Sequence, residues 1–164
     1  VKGVNLSNLS DFLNVFHSKP AGYTPLTQIL TQVLNENHNV VKNERKMLVL
    51  IVTDGEPTDY QGNVCIRDFR DCLARRPLID RTFVTIVACT DDDSSIDYLN
   101  RWDREIKNLD VVDDFRNERE EIRRIRGRTY RFSYGDYMVK SLIGSIDPTM
   151  DQLDEKKKSH CAII

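Results

Sequence analysis

The chain reads as an α/β domain: a Rossmann-like parallel sheet with helices on both faces. Three observations predict it. Residues 47–53 (Met-Leu-Val-Leu-Ile-Val-Thr) are a continuous apolar run, and such runs form strands buried on both sides, as in a parallel sheet covered by helices. Residues 82–89 repeat the pattern. Stretches with 3.6-residue apolar periodicity alternate with these runs, and that alternation builds a parallel sheet.

The first helix is expected from Pro25 to about Asn37. Leu26, Ile29, Leu30, Val33 and Leu34 fall on one face, and Thr24 stands where an N-cap precedes a proline at the first helical position. A polar loop over 35–45 leads to the first strand, which Asp54-Gly55-Glu56-Pro57-Thr58-Asp59 closes with turn residues. A helix over 64–75 places Ile66, Phe69 and Leu73 inward, and Pro77 stops it. After the strand at 82–89, Asp91–Ser95 offers helix caps, with Ile96, Leu99, Trp102 and Ile106 as the apolar face beyond. A short strand at 109–112 precedes a charged helix over 117–126, where Glu120 and Arg124 are spaced to pair. Residues 110–128 carry six acids and six bases, the composition of a solvated face. Tyr130, Phe132, Tyr134 and Tyr137 form an aromatic group, and a last helix spans 137–146. The domain is therefore expected over 1–146, followed by a polar tail over 147–164.

Composition narrows the function. There are 24 basic and 26 acidic residues, a net charge of −2, which argues against a nucleic-acid partner. No run reaches the roughly 18 apolar residues of a membrane span, and no signal peptide is visible. Cys65, Cys72, Cys89 and Cys161 form no CxxC pair, and His17, His38 and His160 are scattered, so a zinc site is not expected. Two of the cysteines lie in apolar helix or strand patterns, which reads as reduced core thiols in a cytoplasmic protein. The chain lacks a phosphate-binding G-x-x-x-x-G-K-[ST] loop and a G-x-S-x-G elbow, and no histidine stands at a strand end. The protein is not expected to be an enzyme.

Right-handed crossovers place all strand carboxyl ends on one edge, where ligands bind in such folds. Thr24 precedes a helix and Asp54 follows a strand, so both can reach that edge. A hydroxyl and a carboxylate are hard oxygen ligands suited to Mg²⁺. On the residues alone, Thr24 equally serves as a cap and Asp54-Gly55 as a turn.

Gly22-Tyr-Thr-Pro-Leu26, followed by a strand ending Thr53-Asp-Gly-Glu-Pro57, resembles the second and third motifs of a von Willebrand factor A-type domain. The resemblance spans roughly residues 1–146. It implies that Thr24 and Asp54 help hold a divalent cation, Mg²⁺, at a metal-ion-dependent adhesion site, where a carboxylate from a protein partner completes the coordination. The family's first motif, Asp-x-Ser-x-Ser, does not occur in this chain. The resemblance therefore implies an incomplete site with two family ligands, and an upstream portion before Val1 carrying the first strand. The alternative readings are a Mg²⁺-dependent phosphate-handling α/β enzyme using Asp54 and Asp59, or a degenerate domain without a metal.

The carboxyl terminus, Cys161-Ala-Ile-Ile164, matches a C-a-a-X prenylation box. Isoleucine at the last position is closer in bulk to leucine and leans towards geranylgeranyl. Lys156-Lys157-Lys158 supplies a basic patch as second anchoring signal, diluted by Asp151, Asp154 and Glu155. The expected location is cytoplasmic, peripheral to a membrane face. Asp91-Asp92-Asp93 reads as helix capping and lacks the spacing of an EF-hand loop.

Overall fold

The computed structural model describes residues 21–43, 45–90 and 97–154, with the isolated positions 13, 17 and 19. The predicted caps at Asp91–Ser95, the first residues from Val1, and the tail from Glu155 to Ile164 lie outside the described residues.

Within them, three strands form one parallel sheet in chain order: β1 (Met47–Thr53), β2 (Thr82–Ala88) and β3 (Leu109–Val112). The register runs from Met47↔Thr82 to Thr53↔Ala88 and from Val84↔Leu109 to Val87↔Val112, so the carboxyl ends share one edge. Helices cover both faces. On one, α1 (Leu26–Asn43), α2 (Ile66–Ala74) and α3 (Asp97–Glu105) bury Leu30, Leu34, Phe69, Leu73, Leu99 and Trp102 against Val84, Ile86, Leu109 and Val111. On the other, Ile122 of α4 (Phe115–Arg126), Tyr137 of α5 (Tyr134–Ile143) and Phe132 from the segment between them pack on Val112, and α6 (Pro148–Asp151) follows.

The α/β architecture expected from the apolar runs is present, and several details differ. β2 is buried at every position, but β1 is not: Leu50 is 44% and Val52 63% exposed. Among the described residues β1 is an edge strand, and the second core, built by α4 and α5, forms over β3 rather than over β1. An apolar run records compatibility with burial, not the presence of a cover. Helix α1 runs six residues beyond the expected Asn37, because Val41 is buried seven residues after Leu34 and continues the stripe through polar neighbours. The described cysteines are free, and of them Cys72 packs half-buried against the main core, Cys65 is half-buried, and Cys89 is exposed just beyond β2.

Two helices start earlier than the apolar periodicity predicts, because side-chain caps set their first turns. Asp114 caps α4, accepting from the amides of Arg116 at 2.8 Å and Asn117 at 3.4 Å, so the helix begins at Phe115 rather than Asn117. Asp114→Ala is expected to cost about 1 kcal/mol by loss of this cap, measured as a shift in the urea midpoint. Ser133 and Asp136 form a capping box that starts α5 at Tyr134 instead of Tyr137. The pairs on α4 also differ: Arg116 faces Glu120, and Arg124 binds Glu121 rather than Glu120.

The helix α4 is not a purely solvated face. Glu118 is 2% exposed and meets Lys140 of α5, which is fully buried. Lys140 Nζ lies 3.3 Å from Glu118 Oε1, 3.4 Å from Asp154 Oδ2 and 3.6 Å from Asp110 Oδ1. Burial alone would favour loss of the Lys140 proton, but Glu118, Asp110 and Asp154 outweigh it and raise its pKa. Packing thus continues through α6 to Leu153 and Asp154.

Candidate cation-binding edge

Asp54 stands directly after the last residue of β1, at the carboxyl edge of the sheet, and is exposed. Thr53 keeps the turn tight: its hydroxyl donates to the Gly55 carbonyl at 3.1 Å and accepts from the Gly55 amide at 3.3 Å. This leaves the Asp54 carboxylate outside the ladder.

Thr24 reaches the same edge from the other side. Its amide donates to Thr58 Oγ1 at 2.8 Å, and its carbonyl accepts from the Thr58 amide at 2.8 Å. Thr58 lies four residues after Asp54, so the segment before α1 is clamped to the loop after β1. Tyr23 reinforces the clamp. Gly62 has φ +89°, and a side chain there would overlap the Tyr23 ring. The expected capping role of Thr24 shifts by one residue. The Pro25 carbonyl takes the first helical bond, from Ile29 at 3.1 Å, because the main chain of Thr24 is engaged with Thr58.

Other residues gather at this edge that the sequence reading did not single out. Cys89 follows β2, and its thiol pKa is raised by burial, then by Asp114 and Asp54, whose charges it faces. Tyr98 of α3 is pushed up to about 12 by burial and by Glu56. Asp54, Cys89 and Asp114 therefore share one electrostatic neighbourhood. The signal for Cys89 and Asp114 was available: each follows a strand in a fold whose strand ends converge. Asp114 is already occupied, accepting from Asn117 Nδ2 at 2.7 Å as well as capping α4.

Asp59 does not join Asp54 in chemistry. Its carboxylate accepts from the amides of Gln61 at 2.8 Å and Asn63 at 2.9 Å, and from Asn63 Nδ2 at 2.8 Å. The Asn63 side chain is the largest influence holding its pKa below the usual carboxylate value. It is a loop staple.

The fit to a cation is partial. Thr24 offers a hydroxyl and Asp54 a carboxylate, and among the described residues no group of three carboxylate, thiol or imidazole ligands converges at this edge. Mg²⁺ prefers an octahedron of six oxygens, so water or residues beyond those described would have to supply the rest. Cys161 lies outside the described residues. Compared with family models, curated proteins and solved structures, the chain matches none.

Proposed function

We propose that the chain is a protein-binding module of the von Willebrand factor A type, whose partner surface is the carboxyl edge holding Thr24 and Asp54. The reading rests on the two quoted motifs in the sequence. The single structural observation that supports it is the two-way pairing of Thr24 with Thr58, which holds the segments carrying both motifs side by side. Asp54, exposed and outside the ladder, faces whatever docks there.

In this reading the edge binds Mg²⁺ weakly, because one carboxylate and one hydroxyl leave most of the coordination sphere to water. A partner carboxylate contributes a further oxygen and so links cation binding to partner binding. Mn²⁺ serves as a paramagnetic probe. It should broaden amide signals over residues 22–25 and 53–58, and Asp54→Ala should abolish this broadening. Absence of broadening at the edge in the full chain, or its persistence in Asp54→Ala, would overturn the cation role.

The C-terminal motif places a prenyl group on Cys161 in the same reading, with the cytoplasmic membrane face as location. No helix among the described residues is long and apolar enough to cross a membrane. Incubation with a type I geranylgeranyltransferase and its diphosphate substrate is expected to add one lipid to the chain and none to Cys161→Ser. An unmodified chain in that assay would remove the anchor from the proposal.

A further inference from the structure

The charges of residues 110–128 balance in number but not in position. All six acids lie before Ile122, whereas residues 123–131 hold five arginines (Arg123, Arg124, Arg126, Arg128 and Arg131) and no acid. Among the described residues, Arg124 alone of the five meets a carboxylate, Glu121 of the same helix. Arg128 and Arg131 are exposed.

The local fold gathers these arginines into one surface. Gly127, at φ +107°, ends α4 and donates its amide to the Arg123 carbonyl at 3.0 Å. The chain then turns back. The Tyr130 amide donates to the Gly127 carbonyl at 2.9 Å, and Arg123 Nε donates to the Tyr130 carbonyl at 3.4 Å. The helix end and the following loop are thereby tied together, with Tyr130 exposed between Arg128 and Arg131. The twelve residues of α4 carry this surface about 18 Å along the helix from Asp114 at the carboxyl edge.

The last described residues lie against the same surface. Arg126 Nε donates to the Leu153 carbonyl at 2.9 Å, and its Nη2 donates to that of Gln152. Asp154 is held 3.4 Å from the buried Lys140. The point where the tail leaves the domain is thus fixed beside the arginines. Cys161 stands seven residues beyond Asp154, a reach of at most about 25 Å when fully extended. Lys156-Lys157-Lys158 fall within that interval.

We propose that the arginine surface at the end of α4 docks on an anionic lipid bilayer and so orients the domain. The inference rests on the prenyl group proposed above for Cys161, whose short tether brings a bilayer, rather than another polyanion, to this surface. One lipid chain anchors marginally and needs a second signal. The tail lysines are diluted by neighbouring acids, and the folded arginines supply what they lack. Each basic residue near an anionic leaflet strengthens partition about fivefold. Tyr130 suits the headgroup level, where rings with a polar tip gather. Docked this way, the domain keeps the edge that holds Asp54 free for its partner.

The test sediments the full chain with sucrose-loaded vesicles in about 0.1 M salt, where surface charges still act over about 10 Å. The Cys161→Ser chain, which carries no lipid, should bind vesicles of phosphatidylcholine and phosphatidylserine in equal parts and ignore phosphatidylcholine alone. Adding Arg128→Gln and Arg131→Gln should weaken that binding at least about tenfold. Arg67→Gln with Arg101→Gln, two exposed arginines on α2 and α3 of the opposite face, changes the net charge equally and should leave binding within about twofold, because their charges are screened at that distance. The geranylgeranylated parent should prefer the mixed vesicles, and the Arg128→Gln/Arg131→Gln chain should lose that preference. A chain that accepts no lipid fails the anchor alone, and the Cys161→Ser comparison still decides the surface. Equal binding by the two double variants, or equal partition onto mixed and plain vesicles, would overturn the proposal. Binding of a short DNA duplex without vesicle binding, lost in Arg128→Gln/Arg131→Gln, would overturn it in favour of a nucleic acid.

Discussion

Lys140→Met is expected to destabilise the domain by about 3–5 kcal/mol, the usual cost of removing one partner from a buried ionic cluster. The ammonium is fully buried between three carboxylates at 3.3–3.6 Å, and methionine fills similar volume without charge. The loss therefore reports the uncompensated charge of Asp110, Glu118 and Asp154 rather than a cavity. Urea unfolding followed by circular dichroism measures it. Combining Lys140→Met with Glu118→Gln should recover part of the stability, because the second change removes one of the stranded charges. A single variant as stable as the parent would mean that the carboxylates are neutral without Lys140.

Arg76→Lys should be nearly as damaging, at about 2–4 kcal/mol, although the charge is kept. Arg76 is 3% exposed and donates to main-chain carbonyls: Leu73 at 2.6 Å, Thr82 at 3.1 and 3.2 Å, Lys107 at 2.5 Å and Asn108 at 2.9 Å. These carbonyls come from the end of α2 and the approaches to β2 and β3, so one guanidinium closes three elements. Its pKa is lowered to about 10 by burial, against a smaller opposing influence of the Cys72 thiol. Lysine has a single donor centre and cannot reach carbonyls spread over this arc. A urea midpoint within about 0.5 kcal/mol of the parent, the range of ordinary surface substitutions, would show that the fork is dispensable.

Much of this was legible locally. The runs at 47–53 and 82–89 were strands because continuous apolar residues suit a covered parallel sheet, and Asp54 fell at a strand end because the run stops there. Thr24 was placed near the same edge by topology. What escaped was capping by Asp114 and Ser133, whose side chains displaced two helix starts. The polar second half of α1 escaped as well, since Val41 alone marks its buried face.

The sequence by itself determined the element order, the parallel sheet and the two motif segments that carry Thr24 and Asp54. These are set by local apolar periodicity and turn chemistry, which neighbouring residues specify. Only the tertiary structure decided that Thr24 is clamped to Thr58, that β1 is an edge strand among the described residues with Leu50 and Val52 exposed, and that acids from β3, α3, α4 and α6 meet around Lys140 and Gly144. The physical reason is the range of the interaction. A charged residue in a polar stretch looks solvated until distant elements pack over it, and desolvation then turns ordinary surface residue types into the most strongly coupled groups of the fold.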